Sequence, residues 1–553
     1  MTIAGAGVPN LPAWWADLGR AGYTPGADLG TAFPWTLAGL ARGAWQADEP
    51  GRAPSALPFP GVLAAATPLA FFDSVWVAPG VERAGPGFGA PLASAVGQPG
   101  SAPDRRARAL FAHRGGSFGL DENGLILERG DSLAWLRAET SAANHGAVGG
   151  RGEAAQHRWG GSGALTRGAH RVEVAYAQRG SGARLRDESQ QSAAGESGGA
   201  AYRYRRAGWE GGVALARGYD FHQSFGPLLP YSRRDAQEVR ALGDLRYGGT
   251  AGALALAIEG RRTTIVRAFA QAAAAQATMV QARLGLERPA GEGRLRVELA
   301  AGRDGGADRF ELAPAATYRF RSGGYDGRIL LARLLEPVWA DLAAGQAPFL
   351  QSVWAGGFEI GGEVSFPHRA RAARARAGFL AGRARDRALV GRAAIEDLWL
   401  RAGYVAEPDP YDFGLLTLSA AGQLRHVGAD LEGFALARDP GAVQPQVDPG
   451  YGAHAGLETR FAAFQNDLGV TLRAEAAGVG PRESQNVPSR RLSGYVTFGA
   501  SAVLTLADAM ITLQLRNLED RPREEVWVDP ATGREALGPG REIRLALSWR
   551  FSN

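Results

Sequence analysis

The side chains best suited to metal or acid–base chemistry are eight histidines: His113, His145, His157, His170, His222, His368, His426 and His454. A metal site needs three or four ligands that converge. These stand singly, with no His-x-x-x-His pair and no neighbouring ligand cluster, and they read as loop or polar-face residues. Cysteine is absent, which removes disulfides, zinc–thiolate clusters and a thiol nucleophile, and fits passage through an oxidising compartment. Gly85–Gly89 and Gly160–Gly163 are glycine-rich, but no Lys-Ser/Thr follows them and the chain has no lysine. They read as flexible turns, not as phosphate loops. No Gly-x-Ser-x-Gly lies between a strand and a helix, so a serine-hydrolase elbow has no support. No catalytic residue, metal or cofactor is expected, and no enzyme.

Charge narrows the partners. With no lysine, all 61 basic residues are arginine; set against 56 acidic residues they leave a net charge of +5. The arginines are dispersed, without the clustered basic stripe of a nucleic-acid binder, so no nucleic acid is expected. Arginine in place of lysine, together with 78 glycines, fits the coding bias of a GC-rich genome.

The elements that would carry these residues change along the 553-residue chain. Residues 1–104 are rich in Pro, Gly and Ala and show few clean periodicities. From Arg105 onward, short alternating segments are separated by Gly, Asp, Asn and Pro clusters, a pattern of strands and turns. Leu295, Val297 and Leu299 oppose Arg294, Arg296 and Glu298; Val172, Val174 and Tyr176 oppose Arg171 and Glu173; Leu468, Val470 and Leu472 oppose Gly469, Thr471 and Arg473. Successive strand side chains point to opposite faces, so each segment has one apolar and one polar face. A soluble sandwich alternates likewise. Three features favour a transmembrane barrel. Segments of roughly ten residues suit a tilted strand crossing a bilayer; Arg and Glu share the polar face, as a wet lumen allows; and Trp135, Tyr202, Tyr204, Trp209, Trp399 and Tyr495 fall near segment ends, where aromatic girdles lie. About 22 strands fit the later zone at roughly 20 residues per strand and loop. The longest loops are expected at Arg179–Gly199, Gly218–Asp235 and Asp439–Gly450.

No window holds the 18 or more apolar residues of a membrane helix, and Met1–Trp14 lacks the basic and apolar regions of a signal peptide. The series His368, Arg369, Arg371, Arg374 and Arg376 has two readings. It either lines a lumen and concentrates anionic solutes, or it touches lipopolysaccharide phosphates or simply reflects codon bias; the second, plainer reading is preferred.

The C-terminus carries a family resemblance. Ile511 to Asp520, with Asn517-Leu518-Glu519-Asp520, resembles the penultimate strand and Asn-Leu-x-Asp turn of TonB-dependent receptors. Gly538-Pro539-Gly540-Arg541 resembles their Pro-Gly-Arg element before the last strand. In that strand Ile543, Leu545, Leu547, Trp549 and Phe551 form one apolar face, which resembles the family's barrel-assembly signal, with Ser552 and Asn553 following the usual terminal aromatic. Phe72 to Gly80 and Gly85 to Gly89 resemble late plug motifs, with Ala78-Pro79 where the family has Arg.

The resemblance implies an all-β protein of the cell outer membrane of a Gram-negative bacterium. Residues 1–104 would be a partial, short plug-like region and residues 105–553 a transmembrane barrel of about 22 strands. The implied function is that of a receptor and transporter that binds and imports a scarce nutrient, such as a siderophore or other small ligand; the substrate-binding residues stay unassigned. Implied partners are the TonB–ExbB–ExbD complex, the barrel-assembly machinery, and lipopolysaccharide with outer-membrane lipid. No TonB box is legible. The alternative is a barrel with a degenerate plug that does not transport, acting as a passive pore or surface-binding protein. A barrel enzyme, lipase or protease, would need a Ser/His or Asp/His set on the wall, to which nothing points.

Overall fold

The computed structural model describes residues 45–47, 72–79, 93–99, 107–145, 153–184, 190–225, 232–268, 272–305, 309–338, 349–366, 371–385, 410–439, 450–483, 491–521, 524–529, 534–537 and 540–552. From Arg108 to Ser552 the chain forms a closed barrel of 22 strands, each hydrogen-bonded antiparallel to its neighbours in the chain. The ring closes where the last strand, Glu542–Ser552, pairs with the first, Arg108–Gly116, in a ladder from Arg544↔Gly116 to Ser552↔Arg108. Closure removes the unpaired edges that an open sheet would leave in lipid.

Alternation decides which way each side chain faces. Leu295, Val297 and Leu299 are exposed on the outside of the strand Gly293–Asp304, whereas Glu298 and Ala300 are buried on its inside. The same holds for Leu254, Leu256 and Ile258 against Glu259 and Arg261. A continuous apolar exterior around a closed ladder is the arrangement that lipid stabilises.

The two ends of the barrel differ. At one end, strands are joined by two-residue turns at 168–169, 207–208, 250–251, 291–292, 323–324, 425–426 and 507–508. Gly168, Gly291 and Gly323 open their turns with positive φ, and Ala207, Arg425 and Ala507 adopt it as well; tight hairpins demand this because only such turns match the twist of the flanking strands. Strand ends separated by longer stretches of sequence, among them Arg385 and Pro410, lie at the other end. Short turns mark the periplasmic end of such barrels and longer loops the outer end.

Two of the expected long loops are largely strand. Arg179–Gly199 is split between His170–Arg184 and Gln190–Arg206, and Gly218–Asp235 between Trp209–Phe225 and Ser232–Gly249. These are the outer parts of strands of 15 to 18 residues, well beyond the roughly ten that span a bilayer. Beyond the membrane both faces meet water, so the ladder continues without apolar alternation. Residues 440–449 of the third expected loop lie outside the described residues.

Before the barrel, Ala93–Pro99 pairs in parallel with Trp45–Ala47 and antiparallel with Phe72–Pro79 in a separate three-stranded sheet. The plug-like match at Phe72 is therefore a strand; Gly85–Gly89 lies outside the described residues.

Candidate functional site in the barrel lumen

The inward positions of the strands build a charged wall. On three neighbouring strands, Val427–Arg438, Tyr451–Ala463 and Leu468–Val479, Arg473 makes a two-pronged bond to Asp430, Nη1 to Oδ1 at 2.7 Å and Nη2 to Oδ2 at 3.0 Å. His454 sits between two carboxylates, 3.5 Å from Asp430 and 3.6 Å from Glu475. The guanidinium crosses the middle strand because that strand has a glycine beneath it: a Cβ on Gly456 would lie 2.1 Å from Arg473 Nη2.

The device recurs on Tyr325–Val338, Phe349–Phe366 and Arg371–Arg385. Arg376 reaches over Gly361 to Asp326 at 2.8 Å and also bonds Glu359 at 2.7 Å, and Arg328 holds the other oxygen of Glu359 at 2.9 Å. Arg376 shares its face with buried Gly378 and Leu380, opposite exposed Phe379. Arg376 of the arginine series thus lines the lumen near the short-turn end, away from the outer end where lipopolysaccharide contact was expected; codon bias, the other half of the plainer reading, fits either position. His368 and Arg369 lie outside the described residues.

A third group is the most enclosed. Arg240 forms an ion pair with Glu259 at 2.7 Å and Arg261 stands 3.6 Å from Glu238, with both glutamates at most 3% exposed. Pairs two residues apart on one strand repeat the theme: Arg171 with Glu173, Arg296 with Glu298, Arg460 with Glu458, and Arg544 with Glu542. Positive and negative charges alternate closely, so the wall presents hydrogen-bonding groups without a strong field of either sign.

Part of the inner wall is apolar. Val353, Leu380, Phe413, Leu415, Phe434 and Leu436 point inward and are buried. Their strands also carry apolar residues outward, as at Leu416 and Leu418.

Two other described histidines have partners of their own. His113 bonds Asn123 at 2.9 Å, and His170 meets the hydroxyl of Tyr202 at 2.7 Å at the short-turn end. Among the described residues, no three His, Asp or Glu side chains are placed to hold a metal.

The architecture can now be compared with known proteins. The chain matches no protein-family model and no curated protein. It matches solved structures along most of its length. The copper transporter OprC superposes with a TM-score of 0.72 at 13% identity, covering 95% of this chain and 96% of that one. The FrpB iron transporter from Neisseria meningitidis gives 0.70 at 11%, covering 88% and 89%. BauA, the ferric preacinetobactin receptor from Acinetobacter baumannii, gives 0.66 at 11%, covering 92% and 88%. This is the fold of the TonB-dependent receptors. All three matches are transporters or receptors, and a closed barrel with an apolar exterior places the chain in the outer membrane.

Within the TonB-dependent receptor fold, the C-terminal motif is a clamp. Asn517 is 2% exposed; its amide donates to the carbonyl of Arg521 at 2.9 Å and accepts from the N–H of Arg521 at 3.2 Å. Asp520 accepts the N–H of Arg541 at 2.7 Å, and Arg541 Nε donates to the carbonyl of Leu518 at 3.2 Å. A Cβ on Gly540 would lie 2.5 Å from Asp520 Oδ1. The two ends of the connection 517–541 are therefore tied together. Asn517 and Asp520 also adopt positive φ, which their residue types tolerate better than most.

In the final strand Ile543, Leu545, Trp549 and Phe551 are exposed on the outer face and Leu547 partly so, with Trp549 and Phe551 stacked 4.7 Å apart. Of the expected girdle, Tyr202 and Trp209 face outward at the short-turn end, the latter 4.7 Å from Tyr247, but Trp135 is buried on the inner side. Trp399 lies outside the described residues.

Proposed function

We propose that this chain is an outer-membrane receptor and transporter that binds a scarce nutrient, such as a siderophore complex or another small ligand, and imports it through the barrel. The observation that carries the reading is the 22-strand barrel, together with the superposition of 88–95% of the chain on a copper transporter, an iron transporter and a ferric preacinetobactin receptor. A lumen lined by balanced ion pairs suits a polar, chelated cargo, because it offers hydrogen bonds without trapping either sign of charge.

In this reading residues 1–104 are the plug-like region and residues 105–553 the barrel. The TonB–ExbB–ExbD complex supplies energy, and the barrel-assembly machinery reads the outward face Ile543, Leu545, Leu547, Trp549 and Phe551. Lipopolysaccharide and outer-membrane lipid bathe the exterior. The test is uptake of radiolabelled iron, free and as ferric siderophores, and of copper in cells expressing the full chain, with and without TonB. Accumulation that depends on both is expected. No TonB-dependent accumulation of any of them, together with a steady open conductance in planar bilayers, would replace the transporter with a passive pore.

A further inference from the structure

The barrel wall is split on one side. The strands Arg309–Ser322 and Tyr325–Val338 pair only from Ser322↔Tyr325 up to Ala315↔Ala332. Above that point Arg309–Pro314 keeps its partner Gly293–Asp304, and Arg333–Val338 pairs only with Phe349–Trp354 of the following strand. The break falls at Pro314, which has no N–H to give to a partner on that side.

The freed hairpin arm, Arg333–Val338 with Phe349–Trp354, turns into the lumen. Leu335 is buried in one cluster with Met279, Ala300 and Ala313, inward residues of three successive strands. Ser352 donates to Glu311 at 2.8 Å, and Arg333 lies 3.9 Å from the same carboxylate and 5.1 Å from the Trp354 ring. Leu335, Arg333 and Ser352 share one face of the arm, and that face lies on the inner side of the wall. On the other face Leu334 and Val353 are buried too.

We propose that this arm is a two-position strap: folded inward as described, it narrows the lumen, and swung outward it rejoins the wall and widens it. Both positions offer stabilisation. Inward, Leu335 fills an apolar site, and Glu311 accepts one hydrogen bond from Ser352 and has Arg333 as a counter-charge 3.9 Å away. Outward, the six residues Arg309–Pro314 regain a ladder partner in the existing register, which would set Ala313 opposite Leu334. Elements with two such arrangements are the ones that switch. The strap belongs to the barrel itself and is independent of how import is energised.

The absence of cysteine makes a thiol test clean. In the full chain, M279C/L335C joins residues that are in one cluster when the arm is inward; with the arm in the wall, two strands separate them, a span of about 14 Å at the usual strand spacing. A313C/L334C reports the wall position. Each variant is first shown to fold by its heat-modifiable gel mobility, then treated with a short bis-thiosulfonate reagent, reconstituted in liposomes and assayed for passive entry of a small sugar. The expected result is efficient bridging of M279C/L335C, with sugar entry that rises several-fold when the bridge is reduced, and slower bridging of A313C/L334C that holds entry high. Bridging of A313C/L334C alone, or of neither pair, overturns the strap. So does equal sugar entry in the two bridged forms.

Discussion

Two sectors of one lumen solve the same folding problem in opposite ways. On the strands Ser232–Gly249, Gly252–Ala268, Ala272–Ala290 and Gly293–Asp304, the inner face carries Glu238, Arg240, Glu259, Arg261, Arg283 and Glu298, all buried or nearly so. On Phe349–Phe366, Arg371–Arg385, Pro410–Leu424 and Val427–Arg438, much of the inner face is Val353, Leu380, Phe413, Leu415, Phe434 and Leu436. Outside, both sectors are equally apolar. The lipid face is thus fixed by the solvent it meets, whereas the lumen face is free to vary and is where a receptor of this fold can be specialised. The ionic sector gives direction through hydrogen bonds. The apolar sector gives adhesion without direction.

The sharpest way to break this contrast is to put a charge into the apolar sector. Leu415 is 1% exposed, and Leu415→Arg buries a guanidinium between Leu380 and Leu436, its partners on the two flanking strands. A loss of about 4 kcal/mol or more is expected, enough to stop folding in many proteins. It would be read as loss of the heat-resistant folded band or a lower urea midpoint in detergent. A variant as stable as the parent would show that this face is wet.

In the ionic sector, removing one partner is the next largest change. Glu259→Ala leaves Arg240, itself mostly buried and 2.7 Å from the lost carboxylate, without that counter-charge. A loss of about 2–4 kcal/mol is expected, since an uncompensated buried charge keeps its desolvation cost. A change below about 0.5 kcal/mol would mean water already reaches the pair and screens it.

Much of this was legible in the sequence, and the limit is physical. Alternation at Leu295–Leu299 and Ile543–Phe551 identifies the outward face because lipid demands it, and the closing strand and its clamp follow from Asn517–Asp520 and Gly540–Arg541. What alternation cannot report is the partner across a ladder. Asp430 and Arg473 are 43 positions apart, on the outer two of three neighbouring strands, and neither stands out until the register sets Gly456 between them. The same is true of His454, which looked like one more isolated histidine. The apolar sector did leave a signal, since Leu415, Leu416 and Leu418 abandon strict alternation, but that signal equally suits a buried strand of a soluble protein. The inward arm left only Pro314, and a proline on an outer strand segment has many explanations.

The glycine beneath Arg473 sharpens the comparison at lower cost. Gly456→Ala places a methyl 2.1 Å from the guanidinium's present position. The flexible arginine can move aside, so the barrel should fold while the two-pronged bond to Asp430 is lost or lengthened. A loss of about 1 kcal/mol is expected, the net worth of an ordinary hydrogen bond, because the arginine can re-form part of its contact from a shifted position. In the G456A background a further Arg473→Ala should then cost less than it does in the parent, and full additivity of the two would show that the glycine does not serve the bridge.

The smallest effect is expected from the most radical-looking change. If the ionic sector is an alternative to apolar packing and not the source of the barrel's stability, then replacing both members of a buried cross-strand pair with apolar residues of similar size should be nearly neutral. Arg240→Met with Glu259→Leu removes both charges together, so neither is stranded, and the desolvation cost of each disappears along with their attraction. The double variant should melt within about 1 kcal/mol of the parent, far above Glu259→Ala alone. A double variant as unstable as the single one would mean that the pair also binds its neighbours Glu238 and Arg261 as a unit, 3.6 Å apart on the same two strands. A neutral result would show that the pair is not a source of the barrel's stability.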